Sequence, residues 1–220
     1  AARLSAETGI ELYETLLTNG VYLRPDDADW LAEHRVRVMI SLDGVGEVHN
    51  ALRPLRNRAG FDTFAAVAHT VDHLLLPRAI HPNVNMVITG RNAHGAADVA
   101  RWAILARGLP TTFTFYRPNL LSRDRAELQL EEVALRRGML AAYEAIESEL
   151  PAWPFTGGLL DRVSTEARTH ACGVGQNYLV ITHTGALSQC PMHLGQPVAD
   201  NLEGDLLATA AAGPLLNLPV

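Results

Sequence analysis

Cysteine is nearly absent: the 220 residues contain two, Cys172 and Cys190, both late in the chain. Two thiols cannot frame a disulfide-rich fold, and they are expected to be reduced. No charged-then-apolar leader opens the sequence, so nothing argues for export. Long apolar runs are missing too. The longest, such as Leu74 to Leu76, are soon interrupted and far too short to span a bilayer. There is no cluster of basic residues and the net charge is −6, which argues against nucleic acid as the main partner. These absences point to a cytoplasmic protein with no membrane partner.

Apolar residues make up 48% of the chain, enough for a sizeable core, and the length suits one large domain with a small appendage. Glu11 to Thr18 reads as a strand ending in the turn pair Asn19-Gly20. Arg24-Pro25-Asp26-Asp27 reads as a helix start, with proline in the first turn and acidic groups at the positive end of the dipole. Val36 to Leu42 is the next strand, stopped by Asp43-Gly44. After Gly60-Phe61-Asp62, an apolar stripe through Phe64, Val67, Val71, Leu74 and Leu75 predicts a helix. Asn83 to Thr89, Ala96 to Leu105 and Thr111 to Tyr116 continue as strand, helix and strand.

Near-continuous apolar strands alternating with amphipathic helices imply parallel pairing and right-handed crossovers. The fold class is therefore α/β, a parallel barrel or open sheet, with ligands expected at the C-terminal strand ends. Those ends are Thr18-Asn19-Gly20, Ser41 to Gly44, Thr89-Gly90-Arg91 and Arg117-Pro118-Asn119. Glu127 to Leu150 reads as a long helix with Leu128, Val133, Leu135, Met139, Tyr143 and Ile146 facing inward. Pro151, Pro154 and Gly157-Gly158 then suggest a linker into a hairpin, with strands Tyr178 to Ile181 and Ala186 to Gln189 around a turn at Thr184-Gly185.

The hairpin folds its ends together, so it can bring Cys172 and Cys190 to one side of a small sheet, where paired thiolates suit a soft metal or an iron–sulfur cluster. Burial as small apolar residues is the alternative. Another is a zinc site completed by His183 and His193. Asp43 reads as a turn or capping residue, and Arg53 in its arginine-rich stretch as a surface ion-pair candidate.

The runs LLTNGVYL, VMISLDG, HNALRP and GFDTF, in that order, resemble the middle of a radical S-adenosylmethionine enzyme that carries an auxiliary-cluster domain. The C-x12-G-x4-C pattern from Cys172 to Cys190 resembles the start of that domain, the SPASM or twitch module. The resemblance spans roughly residues 10 to 205. It implies a partial (β/α) barrel over residues 1–150 lacking its first strands, then a partial auxiliary domain over 151–220.

By the same resemblance, Asn19, Ser41, Arg53 and Leu120 would face S-adenosylmethionine. Ser41 would bond its ribose or methionine part, Arg53 its carboxylate, and Leu120 its adenine. Cys172 and Cys190 would be the first two ligands of an auxiliary [4Fe–4S] cluster. The implied activity is modification of peptide or protein side chains through a deoxyadenosyl radical. Against that stands the missing C-x3-C-x2-C motif, since no cysteine precedes Cys172. No glycine-rich GGE segment is present either, and Pro191 occupies the place where sulfatase-modifying relatives have an aspartate. The expectation is an enzyme fragment that binds no cofactor by itself and is inactive alone, with no catalytic residue assigned. The alternatives are a redox-dead peptide- or nucleotide-binding module or a zinc-stabilised domain. The strand Leu12 to Thr18, left at a sheet edge, is expected to pair with another chain or to be covered by a terminal segment.

Overall fold

The computed structural model describes residues 2–9, 11–118, 125–152, 174 and 179–213. The chain divides into two compact units, residues 1–116 with 127–162, and residues 117–126 with 163–220.

In the first unit, strands β1 (Thr15–Thr18), β2 (Arg37–Ser41), β3 (Asn83–Ile88) and β4 (Thr111–Phe115) form an open, all-parallel sheet in the order β1-β2-β3-β4. Helix α1 (Ala2–Thr8) precedes β1, and α2 (Pro25–Glu33) links β1 to β2. Pro25 sits in the first turn of α2, and Arg24 and Asp27 form a reciprocal cap at its start. Between β2 and β3 lie α3 (Glu47–Leu52) and α4 (Thr63–His69), the latter running on through a π-helical turn, Thr70–Leu75. Helix α5 (Ala96–Val99) likewise continues as a π-helical turn, Ala100–Leu105, before β4. Strand β1 is shorter than the predicted Glu11 to Thr18, because its partner β2 starts only at Arg37.

Side chains alternate across the sheet. Val38, Ile40, Val84, Met86 and Ile88 are buried in a core with Val71 and Leu75 of the α4 extension and Val99 and Ile104 of α5. The opposite face carries Met39, Ser41, Asn83, Asn85 and Thr112, all half-exposed. Near-continuous apolar strands were the expectation; β3 and β4 alternate instead, apolar toward the helices and polar away from them. Ser41 lies in register with Asn85, and Thr112 donates to the Asn83 side chain at 3.2 Å.

Helix α6 (Glu132–Ser148) is shorter than predicted, and its buried residues are Gly138, Ala142, Ala145 and Ile146. Leu135, Met139 and Ile146 of the expected inward stripe pack on the core, whereas Val133 is 61% exposed and Tyr143 37%, and the small residues Gly138, Ala142 and Ala145 share the buried face. The cause is close approach. A Cβ on Gly138 would collide with the Ala93 carbonyl, and one on Gly90 with that of Gln129.

In the second unit, β5 (Val180–Ile181) and β6 (Leu187–Ser188) pair antiparallel, Val180 with Ser188 and Ile181 with Leu187. Gly185, at φ +83°, makes the turn, which is closed by Thr182 N–H donating to the Ala186 carbonyl at 2.9 Å. Helix α7 (Leu206–Ala211) is started by the Asp205 carboxylate. Its Ala210 carbonyl accepts from the buried Gln189 side chain at 2.6 Å.

Candidate functional site

Strands β1, β2 and β3 end on the same side of the first unit. Thr18 is in register with Ile40, so Asn19 and Ser41 leave neighbouring strands at one level. Asn19 is exposed, and its side-chain oxygen accepts the Val21 N–H at 3.2 Å. The left-handed backbone of the turn belongs to Gly20, φ +71°. Ser41, the last residue of β2, is half-exposed. Among the described residues its hydroxyl has no hydrogen-bond partner.

The chain then turns through Asp43 and Gly44 into α3, a six-residue helix that no apolar stripe announces in the sequence. Helix α3 returns Arg53, its C-terminal capping residue, to the end of β2, where Arg53 Nε donates to Asp43 Oδ2 at 2.6 Å. Asp43 is therefore the anchor of Arg53 and not only a turn residue. Val87 N–H donates to Asp43 Oδ1 at 3.3 Å. The Asp43 N–H donates to His49 Nδ1 at 3.2 Å, and Asn92 Nδ2 donates to the Asp43 carbonyl at 2.9 Å.

His49 and Asn92 are fully buried and were missed from sequence. The signal for His49 was its i,i+4 spacing to Arg53, usable only once α3 is seen as a helix. Accepting the Asp43 amide leaves the His49 proton on Nε2, which has no hydrogen-bond partner among the described residues. The edge of the Phe64 ring lies beside it, centroids 6.3 Å apart. Burial first, then the Arg53 charge, push the His49 pKa down to about 4, so the ring is neutral near pH 7. Asn92 Oδ1 closes the knot by accepting from Thr89 N–H at 2.7 Å.

Of the remaining candidates, Leu120 and Cys172 lie outside the described residues. Cys190 is half-buried and starts a short 3₁₀ turn, its sulfur accepting the Met192 N–H at 3.5 Å. Among the described residues no three His, Cys, Asp or Glu side chains gather to hold a metal, and His183, Cys190 and His193 form no such group. Cys190 is the one cysteine among the described residues. The polar part of S-adenosylmethionine does fit the donors present: among the described residues the Ser41 hydroxyl has no protein partner and no protein acceptor engages the Nη groups of Arg53. Two surface cavities, 440 Å³ beside β1 and α2 and 490 Å³ around Arg35 and Ala79, contain none of Asn19, Ser41 or Arg53.

No protein-family model matches the chain. It is 29% identical over 93 residues to the cysteine-type anaerobic sulfatase-maturating enzyme of Clostridium perfringens (strain 13 / Type A), a span of 42% of this chain and 24% of that relative. The enzyme of strain ATCC 13124 matches to the same extent. Over those 93 residues the chain is homologous to the cysteine-type anaerobic sulfatase-maturating enzyme. Its structure resembles native anSMEcpe with bound AdoMet at a TM-score of 0.72 and 17% identity, covering 96% of this chain and 59% of that one. A second solved structure, native anSMEcpe with bound AdoMet and Cp18Cys peptide, matches at a TM-score of 0.64 and 18% identity, covering 88% and 56%. The aligned region spans about a quarter of the length of the curated relatives. The resemblance to radical S-adenosylmethionine enzymes with an auxiliary domain is thereby borne out, and so is the α/β fold. Among the described residues the sheet is four-stranded and open, and no helix is long and apolar enough to cross a membrane.

Proposed function

We propose that this chain contributes the S-adenosylmethionine-facing wall of a radical enzyme that modifies a peptide or protein side chain. The observation that carries this is the clasp of Arg53 by Asp43, two residues beyond Ser41 at the end of β2. A guanidinium held by Nε and open at Nη suits a carboxylate fork, the group that S-adenosylmethionine offers at its methionine end. Ser41 would take a ribose or methionine oxygen, Asn19 would line the same edge, and Leu120 would contact adenine. Cys172 and Cys190 would ligate an auxiliary cluster. The polar sheet face bearing Asn83, Asn85 and Thr112 would meet the peptide, whose backbone needs both donors and acceptors. That a solved relative holds both AdoMet and a peptide supports the pairing of partners.

From sequence alone no bound cofactor is expected; the open Arg53 fork instead favours weak binding of S-adenosylmethionine by the 220 residues, still without turnover, because iron–sulfur ligation takes more thiolates than the two cysteines present. Calorimetric titration with S-adenosylmethionine tests the binding. A dissociation constant on the order of a millimolar is expected, weakened about tenfold or more in Arg53→Ala. No heat at several times that concentration would end the proposal. Self-association through β1 is the second expectation, favoured by Leu17 at 68% exposed and Tyr13 at 59% beside an edge that, among the described residues, has a strand on one side only.

A further inference from the structure

We infer that Asp43 is the positioning residue that turns Arg53 into a carboxylate reader, and that His49 and Asn92 exist to hold Asp43. The inference rests on the proposed role of Arg53 and deepens it. Every polar group of Asp43 is engaged by a different part of the unit: its N–H by His49 of α3, its carbonyl by Asn92 after β3, Oδ1 by Val87 of β3, and Oδ2 by Arg53. An aspartate that merely makes a turn does not need four partners from three segments. Asn92 is itself fixed, since its amide also donates to the Val87 carbonyl at 3.0 Å and its oxygen accepts twice from Thr89.

The clasp is asymmetric in a useful way. Arginine has five N–H donors, and the 2.6 Å contact consumes only the one on Nε. Among the described residues no protein group takes the four on the two Nη atoms. The side chain of Asp43 is 15% exposed and that of Arg53 31%, so the anchor lies inside and the open end of the fork outside. Without Asp43 the arginine would have to order its long side chain at the moment of binding, which costs affinity. With it, the fork waits in place.

The test uses two ligands and one ligand-independent signal. S-adenosylmethionine and its decarboxylated analogue are titrated into the wild-type chain, Asp43→Asn and Asp43→Glu. Wild type should prefer the carboxylate-bearing ligand about tenfold. Asp43→Asn should lose that preference while binding the decarboxylated analogue unchanged, and Asp43→Glu should restore part of it. A merely structural role for Asp43 would weaken both ligands together. Wild type that binds both equally would sink the role of Arg53. Wild type that discriminates while Asp43→Asn still does so would sink the positioning role alone. The third readout needs no ligand. The Arg53 Nε–H resonance should be distinct and slow to exchange in wild type and should collapse to the solvent-averaged position in Asp43→Asn. An Nε–H unchanged by that substitution overturns the inference even if neither ligand binds.

Discussion

At the scale of single residues, the acid sensitivity of the first unit should trace to His49. Its folded pKa of about 4 lies below the ordinary value of 6.5, so the unfolded chain takes up a proton first as pH falls. The stabilisation is therefore complete above about pH 6.5 and is lost progressively down to about pH 4, a change on the order of 3 kcal/mol. The charges that act on the ring are Arg53, Asp43 and Asp62. Arg53 disfavours its protonation, while the two carboxylates offset part of the burial. In His49→Asn the amide oxygen can still accept from Asp43 N–H, but nothing titrates. Urea unfolding at pH 7 and pH 4.5 should show the difference between those two pH values shrinking markedly in the variant. An undiminished difference would place the acid sensitivity elsewhere. None of this was legible from sequence, because burial and tautomer are properties of the folded surroundings. A histidine in an Arg-rich stretch reads as a surface residue until α3 is in place.

At the scale of elements, helix α6 shows how small residues share a buried face of which only the large apolar members stand out in the sequence. The periodicity was legible, but the helix runs only from Glu132 to Ser148, and its buried positions are Gly138, Ala142, Ala145 and Ile146, at spacings of four, three and one. Small residues allow the helix to approach the loop after β3 until Gly138 touches the Ala93 main chain. In a solvent-exposed helix Gly→Ala stabilises by about 1 kcal/mol. Here Gly138→Ala should instead destabilise, by about 2 kcal/mol, because backbone rather than a flexible side chain must give way. Gly90→Ala should behave likewise against the Gln129 carbonyl. Chemical denaturation of both variants checks this, and a gain in stability for Gly138→Ala would contradict the packing described. In the hairpin, by contrast, the turn chemistry around Gly185 was readable directly, since a residue at φ +83° there is nearly always glycine. The alternation of β3 and β4 was present in NVNMVI and TTFTF, yet it becomes meaningful only once the helices are seen to cover one face.

For the whole molecule, the sheet order β1-β2-β3-β4 leaves β1 with a partner on one side only among the described residues, with Leu16 and Leu17 exposed along it. Sedimentation at tens of micromolar should show a concentration-dependent dimer, shifted to monomer by Leu17→Lys, since charge on an edge strand opposes pairing. A strictly monomeric wild type would dismiss the edge as an interface. The α/β class and the strand ends were legible because strand–turn–helix signals are local. The placement of Ser41, Asp43 and Arg53 was only half legible: their proximity depends on α3 folding back, which no periodic stripe announces over six residues.

Amide chemical-shift mapping with S-adenosylmethionine tests the central claim most directly. Shifts should concentrate at Gly20, Leu42 to Gly44, Arg53 and Thr89-Gly90, the segments that follow β1, β2 and β3, while Arg35 and Ala79 around the 490 Å³ cavity stay still. Shifts confined to Arg35 and Ala79, or none at saturating ligand, would contradict it.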